Sequence, residues 1–459
     1  MKIYNSYSRK EEEFIPLNPN QVGVYCCGPT VYDYQHIGNL RTYIFEDLLV
    51  RTLRYAGYKV KHVMNITDVG HLVSDADEGE DKMLVAAKRE KKSSHEIAEY
   101  YTNVFFEDCA ALNIKRPDVV CKATDHIDDM ISLIKRLEKR GMTYFSGGNV
   151  YYDVSRFPEY GRMANLDLKR LKAGARIEID QNKRNPYDFV LWFTKSKFEN
   201  QELQWDSPWG RGYPGWHIEC SAMSMKHLGE QFDIHCGGID HIPVHHTNEI
   251  AQSEGATGKR WVRYWMHGEF LVMDKEKMSK SKGTFITLRD LIKQGIEPLA
   301  YRYMCLGAHY RTQLKFSIES LRSAQNSFRK LRSSVLSLKG VEEGTPDKRY
   351  ISAFEDAMYD DLNAPRALAL VWEILGDSGL AQADKLATLY AVDEVLGFGM
   401  KKWEEKKIDI PDEVRALLSD RAEARKRKDW DESDRLRNLI REKGFLVEDT
   451  KEGQKLKPV

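Results

Sequence analysis

Three short stretches hold the residues that could do chemistry. In YCCGPTVYDYQHIGN (25–39), two cysteines precede a Gly-Pro turn and a histidine precedes a glycine. In PGWHIECSAMS a third cysteine, Cys220, lies in the first turns of a helical pattern, where the helix dipole favours a thiolate. In HIPVHHTNEIAQSE, His245 and Glu249 stand four apart and share one helix face. One of Cys26 and Cys27, together with Cys220, His245 and Glu249, makes a sulfur, nitrogen and oxygen set suited to zinc. Structural zinc sites draw on closely spaced cysteines. Here the candidate ligands come from three distant segments, which fits an active-site metal with one position left open.

A second group of residues suits a nucleotide. His36, Gly38 and Asn39 fall where a strand ends and a helix starts, and Lys277 and Lys280 belong to the string KMSKS far downstream. A given five-residue string arises by chance in such a chain on the order of once in ten thousand. A lone histidine before a helix is more often a cap or a surface residue, but the pair of stretches together points to ATP. Attack of a carboxylate on the α-phosphate builds negative charge on phosphate oxygens, and placed donors lower that barrier. His36 and Asn39 can donate from a helix N-terminus, Gly38 allows close backbone approach, and the two lysines can clamp phosphates from a loop. Asn39 can donate a hydrogen bond but cannot be cationic. GxxxxGK[ST] and GxGxxG are both missing, which excludes the P-loop and dinucleotide fingerprints.

These residues need elements to position them. VGVY (22–25) reads as a buried strand, Leu40 to Leu53 has helical spacing ended by Gly57, and KVKHVMNI (59–66) reads as a second strand. This strand–helix–strand unit seeds a parallel sheet, and its strand-to-helix junction is where such sheets bind ligands. Residues 75–92 form a charged loop leading into a helix that Ser93 and Glu96 announce as a capping box. Residues 115–205 read as an insertion with a hairpin at Gly147-Gly148. A second α/β half follows, with a helix through IECSAMSMKHLG, a strand QFDIH, a helix from about His245 and a strand near VRYWMH. Beyond Leu288 the pattern is almost wholly helical, broken at 340–348, and a charged tail starts near 401. Alternation along the first strand sends Cys26 to the face opposite Cys27. His246 is similarly off the face of His245. Cys109, Cys121, Cys236 and Cys305 read as structural.

Bulk properties bound the answer. The chain has 459 residues, enough for two to four domains. Lys+Arg and Asp+Glu are both 70, so no global field favours a polyanion and any RNA contact must be local. No signal peptide and no membrane span are expected from the sequence. Seven cysteines do not make a disulfide scaffold, so a reducing, cytoplasmic setting is expected.

The HIGN and KMSKS stretches resemble the two signatures of class I aminoacyl-tRNA synthetases, with Asn39 in place of the second histidine. CGPTVYD…HIGN, SPWG…PGWHIECSAMS, FDIHCGGIDHIPVHHTNEIAQSE and KMSKSKG resemble the cysteinyl-tRNA synthetase family, over essentially the whole chain. The resemblance implies an α/β fold: a Rossmann-like parallel-sheet catalytic domain (1–114 and 206–267) with a connective insertion (115–205). A KMSKS and stem-contact region (268–310), a helical bundle (311–400) and a small anticodon-binding domain (401–459) would follow. It implies cysteinyl-adenylate formation from L-cysteine and ATP, then transfer to the terminal adenosine of tRNA(Cys). It assigns zinc to Cys27, Cys220, His245 and Glu249, Mg²⁺ to ATP, Thr30 and Trp216 to the substrate cysteine, and Asp240 to the ATP side. Catalysis falls to His36, Asn39, Lys277 and Lys280, and base reading to Arg425, Asp434 and Asp449, with Trp430 a stacking or core residue. A monomer is implied. A ligase joining cysteine to an amino sugar shares the core but needs no 401–459 tail. A non-catalytic RNA-binding or zinc-holding relative needs no intact KMSKS.

Overall fold

The computed structural model describes residues 1–69, 82–166, 181–195, 202–273, 285–342, 344–404, 411–450 and 453–458, with the backbone alone at 276–277. It divides into two compact units, Met1–Lys401 and Lys402–Val459.

The first unit is built on a five-stranded, all-parallel sheet. Its strands are β1 (Gln21–Cys26), β2 (Lys59–Ile66), β3 (Val119–Lys122), β4 (Phe232–Gly238) and β5 (Val262–Gly268), in the order β5-β4-β1-β2-β3. Strands β1, β2, β4 and β5 are buried for most of their length because helices cover both faces, while the edge strand β3 is only partly covered. Helix α1 (Ile37–Tyr55) connects β1 to β2, and α3 (Thr247–Thr257) connects β4 to β5. Helix α2 (Trp216–Leu228) packs with α3 and with Ile127–Lys139 over a core that includes Tyr25, Val63, Ile218 and Ile250. From β1 the chain winds one way across the sheet, and from β4 the other. The crevice between the C-terminal ends of β1 and β4 is therefore the switch point, where ligands bind in doubly wound sheets.

The junctions follow from local chemistry. Ser93 and Glu96 form the expected capping box of Ser94–Ala111. Gly147 and Gly148 take φ of 58° and 93° in the tight turn joining Thr143–Ser146 to Asn149–Tyr152. That hairpin, Phe189–Phe193 and Tyr213–Pro214 make a four-stranded antiparallel sheet. The expected 115–205 insertion differs at both edges. Val119–Lys122 pairs with β2 inside the parallel sheet, and Tyr213–Pro214 adds to the inserted sheet. Strand pairing sets these edges, and a four-residue and a two-residue strand leave too little periodicity to read. Helices Ile318–Ser337, Lys348–Met358, Ala364–Gly376 and Gln382–Leu396 follow.

The second unit pairs helices Asp412–Lys426 and Trp430–Glu442 with the hairpin Phe445–Thr450/Gly453–Pro458. Val414, Ile440, Val447 and Leu456 form its core. Trp430 is 56% exposed, which excludes the core role left open for it. Among the described residues, no helix is long and apolar enough to cross a membrane.

Candidate active site at the switch point

A cavity of about 490 Å³ opens at this crevice, lined by β1–α1 residues, by the ends of β4 and β5 and by α2. His36 caps α1: its Nδ1 accepts from the Asn39 backbone N–H at 3.0 Å. The neutral ring then carries its proton on Nε2, as a donor. No acidic residue occupies the first turn of α1, so the positive end of the helix dipole stands unneutralised beside the cavity. A Cβ on Gly38 would come within 3.0 Å of the His36 ring, so the capping geometry depends on glycine there. Asn39, Thr30, Trp216 and Asp240 all line the same cavity.

The turn after β1 is fixed from below. Gly28 N–H donates to Asn65 Oδ1 at 2.8 Å, Asn65 Nδ2 to Thr67 Oγ1 at 3.0 Å, and Thr67 Oγ1 to Glu219 Oε2 at 3.2 Å. A Cβ on Gly28 would lie 1.6 Å from the Asn65 carbonyl oxygen, so only glycine lets β1 cross β2 this closely. Cys26 pairs in register with Cys236 and points toward Glu46 on α1. Cys27 then falls on the α2 side, as strand alternation requires.

Cys27, Cys220, His245 and Glu249 converge there, with one donor atom from each within 4.8 Å of all the others. All four are buried. Ligands of a tetrahedral zinc stand about 3.3–3.8 Å apart, so a contraction of about 1 Å completes the cage. Glu249 Oε2 accepts from His235 Nε2 at 2.7 Å. Oε1 lies 2.6 Å from His245 Nε2 but in poor alignment, and so remains a buried oxygen with no hydrogen bond. An orphaned carboxylate oxygen beside two sulfurs and an imidazole fits a bound cation better than it fits a packed core.

Charge in this cluster is mutually supported. Burial works against the charged forms of Glu249 and His245. Even so, His245 and His235 bring Glu249 down to about 2, while Glu249 and Cys220 push His245 up to about 10. The hydrogen bond from Cys27 lowers Cys220 against the effect of burial, whereas burial raises Cys27 well above the ordinary thiol range. Two thiolates and a carboxylate would together carry three negative charges, of which a divalent ion offsets two.

His246 corrects the sequence expectation. Its Nε2 lies 3.3 Å from Cys27 Sγ, and Cys27, His235, His246 and Glu249 form a second quartet within the same 4.8 Å limit. The cause is a wide i→i+5 turn over Ile242–His246, which turns consecutive histidines to the same side. His217 joins them, 3.0 Å from His245 through Nδ1. No metal-ligand spacing in the sequence marks His217 or His235; the run of histidines near the glycines of β4 is the signal that could have found His235, and His217 has none.

The remaining candidates lie elsewhere. Lys277 belongs to the short strand Glu276–Lys277, which pairs with Leu271–Met273 at the cavity wall, and Lys280 lies outside the described residues. In the second unit, Arg425 and Asp449 come together at 3.2 Å, while Asp434 is exposed on Trp430–Glu442. Asp449 also accepts two hydrogen bonds from the buried Arg421, at 2.9 and 3.1 Å. The Arg425 guanidinium stands 5.7 Å from the Trp430 ring centroid.

Comparison with known proteins gives this geometry its setting. The family model for the catalytic domain of class I (C) tRNA synthetases matches residues 13–326, and that for the cysteinyl-tRNA ligase anticodon-binding domain matches 408–455. The cysteine–tRNA ligase of Treponema denticola is 54% identical, over 98% of both chains. Cysteine–tRNA ligase 1 of Burkholderia lata is 50% identical, over 99% of this chain and 96% of its own. In fold alone, a methionyl-tRNA synthetase of Mycobacterium tuberculosis in complex with methionyl-adenylate aligns with a TM-score of 0.58 at 17% identity, covering 82% of this chain and 89% of its own. With a matching catalytic domain, a matching anticodon domain and relatives alike from end to end, this chain belongs to the cysteine–tRNA ligases, enzymes of the class I synthetase family.

Proposed function

We propose that this cavity selects L-cysteine by its sulfur and activates it with ATP, before transfer to the terminal adenosine of tRNA(Cys). Cys27, Cys220, His245 and Glu249 would hold a zinc ion, which when bound takes the thiolate of cysteine and refuses the alcohol of serine. Shape alone separates such near-isosteres by only about 10–200-fold. Trp216 and Thr30 border the amino acid. His36 donates from Nε2, and Asn39 from its amide, to oxygens of the α-phosphate as the substrate carboxylate attacks it and pyrophosphate leaves. Lys277 and Lys280 neutralise the departing pyrophosphate, which arrives with Mg²⁺ on ATP, and Asp240 stands on the nucleotide side. In the second step a ribose hydroxyl of the tRNA attacks the activated carbonyl and AMP leaves. Arg425, Asp434 and Asp449 face the anticodon, and the enzyme works as a cytoplasmic monomer.

The observation that carries this reading is the shared cavity: Cys27, Cys220 and His245 of the ligand quartet line it together with His36, Gly38 and Asn39 of the α1 N-terminus. The test is cysteine-dependent exchange of pyrophosphate into ATP, measured alongside metal content. Cys27→Ala and Cys220→Ala should each lose zinc and raise the KM for cysteine. Full zinc content in both variants, or no cysteine-dependent exchange by zinc-loaded protein, would overturn it.

A further inference from the structure

Two walls of the cavity come from distant parts of the chain. Gly38, Asn39 and Thr42 of α1 form one, and residues 268–271 the other. Arg41 lies behind them, 4% exposed. Among the described residues its guanidinium forms no ion pair. It donates instead to four backbone carbonyls: Nη1 to Glu269 at 2.7 Å and Phe270 at 2.6 Å, and Nη2 to His309 at 3.3 Å and Thr312 at 2.5 Å. A buried cation without an ion-pair partner is costly to keep, and here those four carbonyls supply most of the compensation, with the Glu269 carboxylate acting from farther off. The planar fork reaches two chain segments at once, which a lysine ammonium cannot do.

The gripped segments matter for the site. Glu269 and Phe270 are wall residues, between the end of β5 and the strand Leu271–Met273 that pairs with Glu276–Lys277. The 309–312 segment leads into Leu314–Lys315, which runs parallel to Leu271 and Val272, and Leu314 N–H donates to the Phe270 carbonyl at 3.0 Å. At the other wall, the Tyr301 hydroxyl donates to the Ile37 carbonyl at 2.6 Å. The two walls nearly touch at one point, where a Cβ on Gly38 would be 3.8 Å from Leu271 Cβ.

We propose that Arg41 is a positioning residue for amino-acid activation: by gripping the carbonyls of Glu269 and Phe270 it sets how far the 268–271 wall stands from the His36–Asn39 loop. It touches no substrate. It acts on ATP through the spacing of the wall, while the candidate zinc quartet, held by the turn after β1, α2, the Ile242–His246 turn and α3, makes no hydrogen bond to it. The inference rests on reading this cavity as the ATP site.

The test is pyrophosphate exchange with Arg41→Lys and Arg41→Met, varying ATP and cysteine separately, with zinc content measured on the same samples. A wall displaced by about 1 Å predicts a roughly 100-fold loss of kcat/KM for ATP in Arg41→Met. Arg41→Lys should lose less, since three donors on one nitrogen can serve only part of the four-carbonyl set. KM for cysteine should stay within about twofold of the parent enzyme in both, the mark of an effect confined to one substrate. Zinc content should not change. Parent-like kcat/KM for ATP in Arg41→Met, or equal losses toward ATP and cysteine, would overturn the proposal. Arg41→Gln, neutral and with two amide donors, provides a third variant. If all three unfold, Arg41 holds the whole fold and the proposal is overturned. Absence of cysteine-dependent exchange in the parent enzyme would instead refute the reading of the site.

Discussion

Replacing Asp449 with alanine separates two roles the tail residue could have. Arg421 is 1% exposed, and its guanidinium is held by both oxygens of Asp449, at 2.9 and 3.1 Å, and by the Gln454 side chain. Its Nε already lacks a partner. Removing Asp449 leaves a buried cation served by one amide oxygen. Breaking such a pair in full burial costs roughly 3–5 kcal/mol, and the Asp449 side chain is 42% exposed, so about 2 kcal/mol is the fitting figure. The second unit spans residues 402–459. A unit of that size has a total stability of roughly 3–9 kcal/mol, so the loss is a large share of it. At roughly 4–8 °C per kcal/mol, its transition should fall by about 8–16 °C. Calorimetry of the full chain reads that transition, and proteolysis that releases the tail assigns it. KM for tRNA should rise while cysteine-dependent exchange stays at the parent level. Asp434→Ala, at an exposed helix position, should raise KM for tRNA with no change in the transition. An Asp449→Ala protein that melts like the parent yet loses tRNA affinity would refute the structural accounting and leave Asp449 as a base reader alone.

Three further outcomes are expected. Trp216 is half-buried, with its ring centroid 4.5 Å from that of His245, so Trp216→Ala should raise KM for cysteine several-fold and leave KM for ATP unchanged in exchange kinetics. Burial brings His62 from the usual 6.5 down to about 4, so the folded state prefers the neutral ring. Below pH 6.5 the unfolded chain takes a proton that the folded chain refuses, and about 3 kcal/mol of stability is lost as pH falls to 4; denaturant titrations should show a shallower decline in His62→Leu. Gly28→Ala has to place a Cβ 1.6 Å from the Asn65 carbonyl oxygen, so it should misplace the turn at Cys27 and lower zinc content, as metal analysis of soluble protein would show.

Much of this was legible in the sequence, for physical reasons that differ by element. The run 59–66 forms β2 over the same residues because its first residues alternate between more exposed and buried before the strand enters the core, and glycine ends the helix before it. His245 and Glu249 were visible because helical spacing of four implies a shared face, and Cys220 because it falls in the first turns of a helical pattern. Cys27 was separable from Cys26 only by resemblance, and the register Cys236↔Cys26 supplies the physical reason: Cys26 is committed to the α1 side. The edges of the inserted sheet were not legible, because Val119–Lys122 owes its place to a partner strand more than fifty residues away. Arg41 was equally hidden, since carbonyl acceptors leave no mark in side-chain identity.

The histidine layer shows what kind of signal was missed. His246 was placed off the face of His245 on the assumption of a regular helix, and Pro243 inside the wide turn Ile242–His246 was the local reason to doubt that regularity. The stronger clue lay in the two glycines that end β4. A Cβ on Gly237 would stand 2.7 Å from His241 Nδ1 and 2.8 Å from His246 Cε1, and one on Gly238 would stand 2.4 Å from Asp240 Oδ1. A strand that ends in two residues without side chains leaves room at its tip, and here imidazoles fill it. His246 among them lies 3.3 Å from Cys27 Sγ, and His235, on β4 itself, holds Glu249 by one oxygen. The candidate ligand quartet is therefore braced by imidazoles that touch its members from outside, and a glycine pair at a strand end is where such a layer can be sought in sequence.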